Sequence, residues 1–296
     1  MRTRHRSRLA LAVAMALLVR PASIGAAEPD VCVVVSGDEH AAVADAAQHA
    51  LGQPARRVDV RDRAQRAALA SSCGRLIIAV GSEALRAAGE SAPRSPVVHV
   101  MAGNGRGTGL PGVLPDADPR RVLETLRKLA PSAHRIGMVF NPDLTGELVA
   151  DAQASARPLG MELVALPART VGEAVRAFQR FERELSVDAL WLLPDGTATV
   201  QETVYYALEL AHWRRLVVIG LSRWYVASGA LFALLPRPDS SGTVAGELGQ
   251  QVLRGTPPSG AVHARDYALY LNQRAATRLG LKLPRQLLES ADQVLP

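Results

Sequence analysis

Short runs of consecutive apolar residues alternate along this chain with segments whose apolar residues recur at helical spacing. Between Arg135 and Ala230 the runs are Arg135–Phe140, Glu162–Pro167, Ala189–Leu193 and Leu216–Gly220. Strands that are apolar on both faces and separated by helices predict a parallel sheet covered by helices on its two sides. Small polar loops follow most of these strands: Asn141-Pro142, Pro194-Asp195-Gly196-Thr197 and Ser222-Arg223-Trp224-Tyr225. Open sheets of this class bind small molecules at the carboxyl ends of their strands.

The same alternation opens the chain. Strands are predicted at Val31–Val35, Arg57–Val60, Leu76–Val80 and Val97–Met101, with helices near His40–Leu51, Arg63–Ala70 and Glu83–Ala88. Asp118-Pro119 has the chemistry of a helix start, a side-chain cap followed by proline at the first helical position, and that helix runs to about Leu129. Between the two series lies Gly103-Asn104-Gly105-Arg106-Gly107-Thr108-Gly109, which has no periodicity and reads as a crossing between lobes or a loop lining the space between them. After Leu231–Leu235 come a turn at Pro236-Arg237-Pro238, a helix over Gly242–Arg254 capped by Gly255, a further strand within Ala261–Ala268 and a last helix over Asn272–Leu279. The expected fold class is α/β, with two Rossmann-like lobes on parallel sheets: residues 28–115 with 236–262, and residues 116–235 with 263–296.

The first residues change the picture of where this fold works. Arg2, Arg4, Arg6 and Arg8 precede an apolar run, Leu9 to Val19, and a small-residue stretch ending Gly25-Ala26-Ala27. This is the pattern of a cleavable secretory signal over residues 1–27. The run is shorter than the roughly 20 residues a membrane span takes. The first cysteine is Cys32, set back from the expected cleavage point, so a periplasmic protein without a lipid anchor is expected. Five of the arginines fall in that leader, which has no acid, so the formal net charge of +6 becomes +1 without it. A nucleic-acid binder needs a basic footprint, and none remains. Cys32 and Cys73 are the only cysteines. In an oxidising compartment an even pair suits a disulfide, with two buried thiols as the alternative.

Candidate chemistry is sparse. The glycine loop lacks the Gly-Lys-Ser/Thr ending of a phosphate-binding loop and the spacing of a dinucleotide fingerprint, so no cofactor is expected. There is no nucleophile elbow, and Ser82 reads as a helix N-cap. Asp38-Glu39-His40 holds three possible metal ligands, but adjacent loop residues rarely converge on one ion, and a solvated helix start is the simpler reading. No positioned acid, base and nucleophile set is found, so the chain does not read as an enzyme. Phe, Tyr and Trp occur only from Phe140 onward. Trp224 and Tyr225 follow a strand, Trp191 lies inside one, and Tyr205, Tyr206 and Trp213 share a helix as expected packing residues.

Several spaced segments resemble one family. Arg135-Ile136-Gly137-Met138-Val139-Phe140-Asn141-Pro142 is similar to the opening of the second lobe in ABC-transporter substrate-binding proteins of the type I periplasmic-binding fold. Val187 to Asp195, Val218 to Arg223, Val226 to Leu231, Gly246 to Gly255 and Leu279 to Pro284 follow in the same order, so the resemblance covers about residues 118–296. It implies two hinged lobes that close on a small solute, in this family including aromatic amino acids and related molecules, and an ABC permease in the inner membrane as partner. A periplasmic sensory or accessory role for a histidine kinase or an outer-membrane uptake system uses the same fold, and a monomer is expected in either case. Loops at strand ends supply the candidate ligand contacts: Ser36, Gly37, Ser82, Met101 and Ala102 from the first lobe, and Asn141, Thr145, Asp195, Thr197, Ser222, Arg223 and Tyr225 from the second. Asp195 is the candidate partner for a ligand amine and Arg223 for a carboxylate.

Overall fold

The structure, a computed structural model, describes residues 30–256 and 258–296. The leader read over residues 1–27 lies outside them. The first sheet contains β1 (Val31–Val35), β2 (Arg56–Asp59), β3 (Leu76–Val80), β4 (Val97–Val100), β5 (Gly112–Val113) and β11 (Ala261–Val262), in the order β11-β5-β4-β3-β1-β2. The second contains β6 (Arg135–Phe140), β7 (Glu162–Pro167), β8 (Ala189–Trp191), β9 (Val217–Gly220), β10 (Phe232–Pro236), β12 (Tyr267–Asn272) and β13 (Gln293–Leu295), in the order β13-β12-β10-β9-β8-β6-β7. Every pairing is parallel except β10 with β12, which is antiparallel. The strands β1 and β3 are buried at every position, as their unbroken apolar runs require.

Among the described residues twelve α-helices cover the sheets: α1 (Ala41–Leu51), α2 (Arg63–Ala67), α3 (Leu69–Ser72), α4 (Ser82–Ser91), α5 (Pro119–Leu129), α6 (Pro142–Ala156), α7 (Val171–Arg183), α8 (Gln201–Arg214), α9 (Arg223–Ala227), α10 (Pro238–Leu253), α11 (Gln273–Leu279) and α12 (Arg285–Ser290). Helix α5 shows the local logic. Asp118 accepts the Arg120 N–H at 2.9 Å, Pro119 takes the first helical position, and Val122, Leu123, Leu126 and Leu129 form its buried face. Each sheet has apolar layers on both faces. In the second, α5 and α6 pack on one side, and α7 and α8 on the other.

Among the described residues the chain crosses between the sheets three times: after β5, after β10, and between β11 and β12. The second crossing delivers α10 from the second sheet to the first, where Val244, Ala245 and Leu248 join the core of β1 and β3. Helix α10 meets α1 so closely that a methyl group on Gly242 or Gly246 would collide with the α1 backbone. Cys32 and Cys73 form a disulfide with Cα atoms 5.5 Å apart, tying β1 to the end of α3.

Two expectations need correction. The single strand placed within Ala261–Ala268 is two strands, β11 and β12, in different sheets, because Asp266 lies in the third crossing. The helix Gln273–Leu279 is not the last element. Helix α12 and strand β13 follow, and β13 extends the second sheet beside β12. Among the described residues no helix is long and apolar enough to cross a membrane.

Candidate functional site

The parallel strands β6, β8 and β9 all end at the side of the second sheet where the crossings lie, and their loops open there. Facing them is the glycine-rich loop that follows β4. Gly103, Asn104 and Arg106 of that loop, with Pro142, Asp143, Leu144, Gly146, Glu147, Pro194 and Gly196, line a cleft of about 500 Å³. Its walls therefore come from both sheets. Ser82 braces the first-sheet wall: its hydroxyl accepts the Gly103 N–H at 3.0 Å, and its carbonyl accepts from the Asn104 amide at 3.3 Å. Ser82 is the first residue of α4, and Gly81 holds the cap position. The expected side-chain cap is thus replaced by a brace for the glycine loop.

The loops of the second-sheet wall are held by one carboxylate. Asp195 is 3% exposed. Its Oδ1 accepts from the Thr197 and Ala198 N–H groups, each at 2.8 Å. Its Oδ2 accepts from the Asn141 N–H and the Thr145 hydroxyl, each at 2.6 Å. Asn141 caps α6 through the Asp143 N–H at 3.0 Å and donates its side-chain amide to Thr197 at 2.9 Å. The structure thus gathers Asn141, Thr145, Asp195 and Thr197 into one network under the cleft floor. Both oxygens of Asp195 are engaged twice, so this carboxylate anchors the loops and leaves no lone pair directed at a ligand amine.

The other candidates are dispersed. Ala102 is fully buried in the core, and Met101, at φ +55, occupies the left-handed region that costs a side-chain-bearing residue strain. A methyl on Gly37 would collide with the Glu39 and Arg61 side chains, which cover it, and Ser36 precedes it at the end of β1. Ser222 holds the N-terminal cap position of α9 without a side-chain capping bond, and the Arg223 Nε donates to the Gln293 Oε1 at 2.5 Å, at the far edge of the sheet. Tyr225 packs half-buried beside Gly220, where burial raises its hydroxyl pKa, and its ring meets Trp224 edge-on at 5.1 Å. Trp224 in turn meets Tyr205 at 6.2 Å. None of these residues lines the cleft. Tyr205 and Trp213 are exposed, Trp213 at 80%, which corrects their expected packing role. Tyr206 is partly buried against Glu182, and burial with that hydrogen bond pushes its pKa up to about 12.

The residue that sequence reasoning passed over is Arg106. Its guanidinium is 12% exposed and binds Asp116 of the first crossing at 2.6 Å and Asp151 of α6 at 2.8 Å. The glycine loop is thereby fastened to the second sheet's helix layer. Its position inside a glycine run was the available signal, since a lone long side chain there has no local partner. Next to the cleft, and sharing Pro194 with it, is an apolar recess of about 130 Å³ at the ends of β8, β9 and β10. On the first sheet, His99 of β4 is fully buried between Gly105 and Gly112, its two ring nitrogens have no hydrogen-bond partner among the described residues, and burial lowers its pKa. Among the described residues no group of three His, Cys, Asp or Glu side chains is arranged to hold a metal ion.

The sequence from residue 66 to 295 matches the family model described as ABC transporter substrate binding protein. The chain belongs to this family. No protein of curated function matches it. Among solved structures, a ligand-free, open substrate-binding protein with adhesive properties from Clostridium difficile superposes with a TM-score of 0.64 at 17% identity, over 89% of this chain and 97% of that one. The ABC domain in complex with L-Trp from Streptococcus pneumonia superposes at 0.58 with 17% identity, over 90% and 99%. A conserved domain protein from Vibrio cholerae superposes at 0.55 with 20% identity, over 90% and 99%. These likenesses establish the type I periplasmic-binding fold for the family member described here.

Proposed function

We propose that this protein is an exported carrier that captures a small molecule between two lobes, residues 28–115 with 236–262 and residues 116–235 with 263–296, and delivers it to an ABC permease in the inner membrane. The observation that carries the reading is the cleft whose walls come from both sheets. Three crossings give such a pair of lobes a hinge, and closing the cleft over a solute removes it from water. Micromolar capture needs only about 8 kcal/mol, within reach of one buried apolar group and a few hydrogen bonds. The L-Trp held by the Streptococcus structure supports an amino acid or a related molecule as the solute. The basic, apolar and small-residue order of residues 1–27 supports export.

The test is a thermal-shift screen of amino acids, sugars and small organic acids on the mature protein, followed by small-angle X-ray scattering. A captured solute raises the melting temperature by mass action and reduces the radius of gyration. If no compound does the first, or those that do leave the molecule's dimensions unchanged, the carrier reading fails. One observation favours a sensory or accessory role instead: the family match begins at residue 66, so β1, α1 and β2 lie outside it. Histidine-kinase or outer-membrane receptor genes beside this one, in place of permease and ATPase genes, would select that role.

A further inference from the structure

The recess beside the cleft is lined by apolar groups from elements far apart in sequence. Val122 comes from α5, Leu148 from α6, Trp191 from β8, Ile219 from β9 and Leu234 from β10, with Pro194 shared with the cleft. Among the described residues the one ionisable group in its lining, Asp116, is already bound to Arg106, and both side chains are 12% exposed. A charged or strongly polar group entering this space would lose its hydration without gaining a partner, which costs several kcal/mol, whereas an apolar group gains by entering. The recess and the cleft are adjoining compartments, since Pro194 lines both.

Resting on the carrier reading above, we propose that this recess is the side-group subsite of the solute and takes one uncharged apolar group no larger than a single six-membered ring. The size limit comes from the volume. A dry cavity of about 150 Å³ lined by aliphatic and aromatic side chains accepts benzene, and this one is about 130 Å³. A phenyl ring or a branched alkyl chain matches that space, and a fused two-ring system such as indole is expected to exceed it. The polar or ionic part of the solute then lies in the larger cleft. The chain accordingly selects against L-Trp, the molecule held by the Streptococcus structure.

Toluene and naphthalene are the probes. Trp191 lines the recess, and the other two tryptophans, Trp213 and Trp224, line neither compartment. In a Trp213→Phe/Trp224→Phe protein, toluene is expected to shift Trp191 emission saturably and raise the melting temperature by on the order of 2 °C. Naphthalene is expected to bind at least tenfold more weakly by thermal shift. Val122→Phe, which fills the recess, should abolish the toluene response while circular dichroism stays native; Leu234→Phe serves the same purpose if the first variant does not fold. No response to toluene, equal binding of naphthalene, or a response that survives filling overturns the subsite. A solute that contracts the protein in scattering yet leaves Trp191 emission unmoved also overturns the subsite, while the carrier reading stands. A recess that takes toluene in a protein that no solute contracts removes the carrier reading.

Discussion

Replacing Asp195 by alanine is expected to damage the folded protein before it damages ligand capture. The carboxylate receives four hydrogen bonds, and three of the donors, the N–H groups of Asn141 and Ala198 and the Thr145 hydroxyl, are buried. A buried donor left without an acceptor costs about 1–3 kcal/mol. The Thr145 hydroxyl can fall back on the Asn141 carbonyl, 3.4 Å away, and the partly buried Thr197 N–H can reach water, so those two sit at the low end. With those two near about 1 kcal/mol and the other two at about 1–3 kcal/mol each, the loss is about 4–8 kcal/mol. At about 2–4 °C per kcal/mol for a chain of this size, the melting temperature falls by on the order of 10 °C. Asp195→Asn keeps the shape but turns one acceptor into a donor facing donors, and should lose a comparable amount. Urea unfolding of both variants beside Thr145→Val measures this, and the Asp195–Thr145 pair should show strong coupling in a double-mutant cycle. An Asp195→Ala protein of wild-type stability that has lost only its ligand-induced thermal shift would refute the reasoning and return the carboxylate to the ligand.

Reducing the Cys32–Cys73 bridge frees a loop spanned by a sequence separation of 41, and the chain-entropy relation puts the loss at about 4 kcal/mol; unchanged urea midpoints with and without reductant would contradict this. His99 has a folded pKa below its ordinary value because of burial, so the unfolded chain binds the extra proton first and stability falls as pH drops through the ordinary histidine range near about 6.5. Replacing His99 by Leu should flatten the acid-side slope of melting temperature between about pH 7 and 5, and an unaltered slope would assign it elsewhere. Gly246→Ala places a methyl against the Ala47 carbonyl on α1, and the overpacking cost of about 1–3 kcal/mol should exceed the helix-propensity gain of about 1 kcal/mol. A variant more stable than wild type by thermal melting would show that α1 and α10 can move apart freely.

The strands were legible because their apolar runs are local statements: VCVVV and LIIAV can only be buried on both faces, and the structure puts β1 and β3 side by side. Asp118-Pro119 likewise announces its helix, since a cap acts on an N–H group two residues away; Asn141-Pro142, read from the sequence as a loop, caps α6 in the same way. The site was legible only in part. Asn141, Thr145, Asp195 and Thr197 were marked by falling after strands, and they do meet, but a position after a strand does not say whether a side chain faces solvent or a neighbouring loop. Asp195 turned inward because four donors from two segments converge on it, a convergence that spans about fifty residues of sequence.

By itself the sequence determined the periods of its elements, the alternation that makes a helix-covered parallel sheet, and the absence of a nucleophile elbow or phosphate-loop signature, because each is written within a few neighbouring residues. The tertiary structure decided everything that depends on residues distant in sequence. It carried α10 back to α1, split the tail between two sheets, and set Arg106 between carboxylates 10 and 45 residues away. It also assembled the apolar recess from side chains scattered over residues 115–236. A cavity is the space left when separate elements pack, and its shape is therefore fixed by crossings and register, which leave no local mark in a sequence.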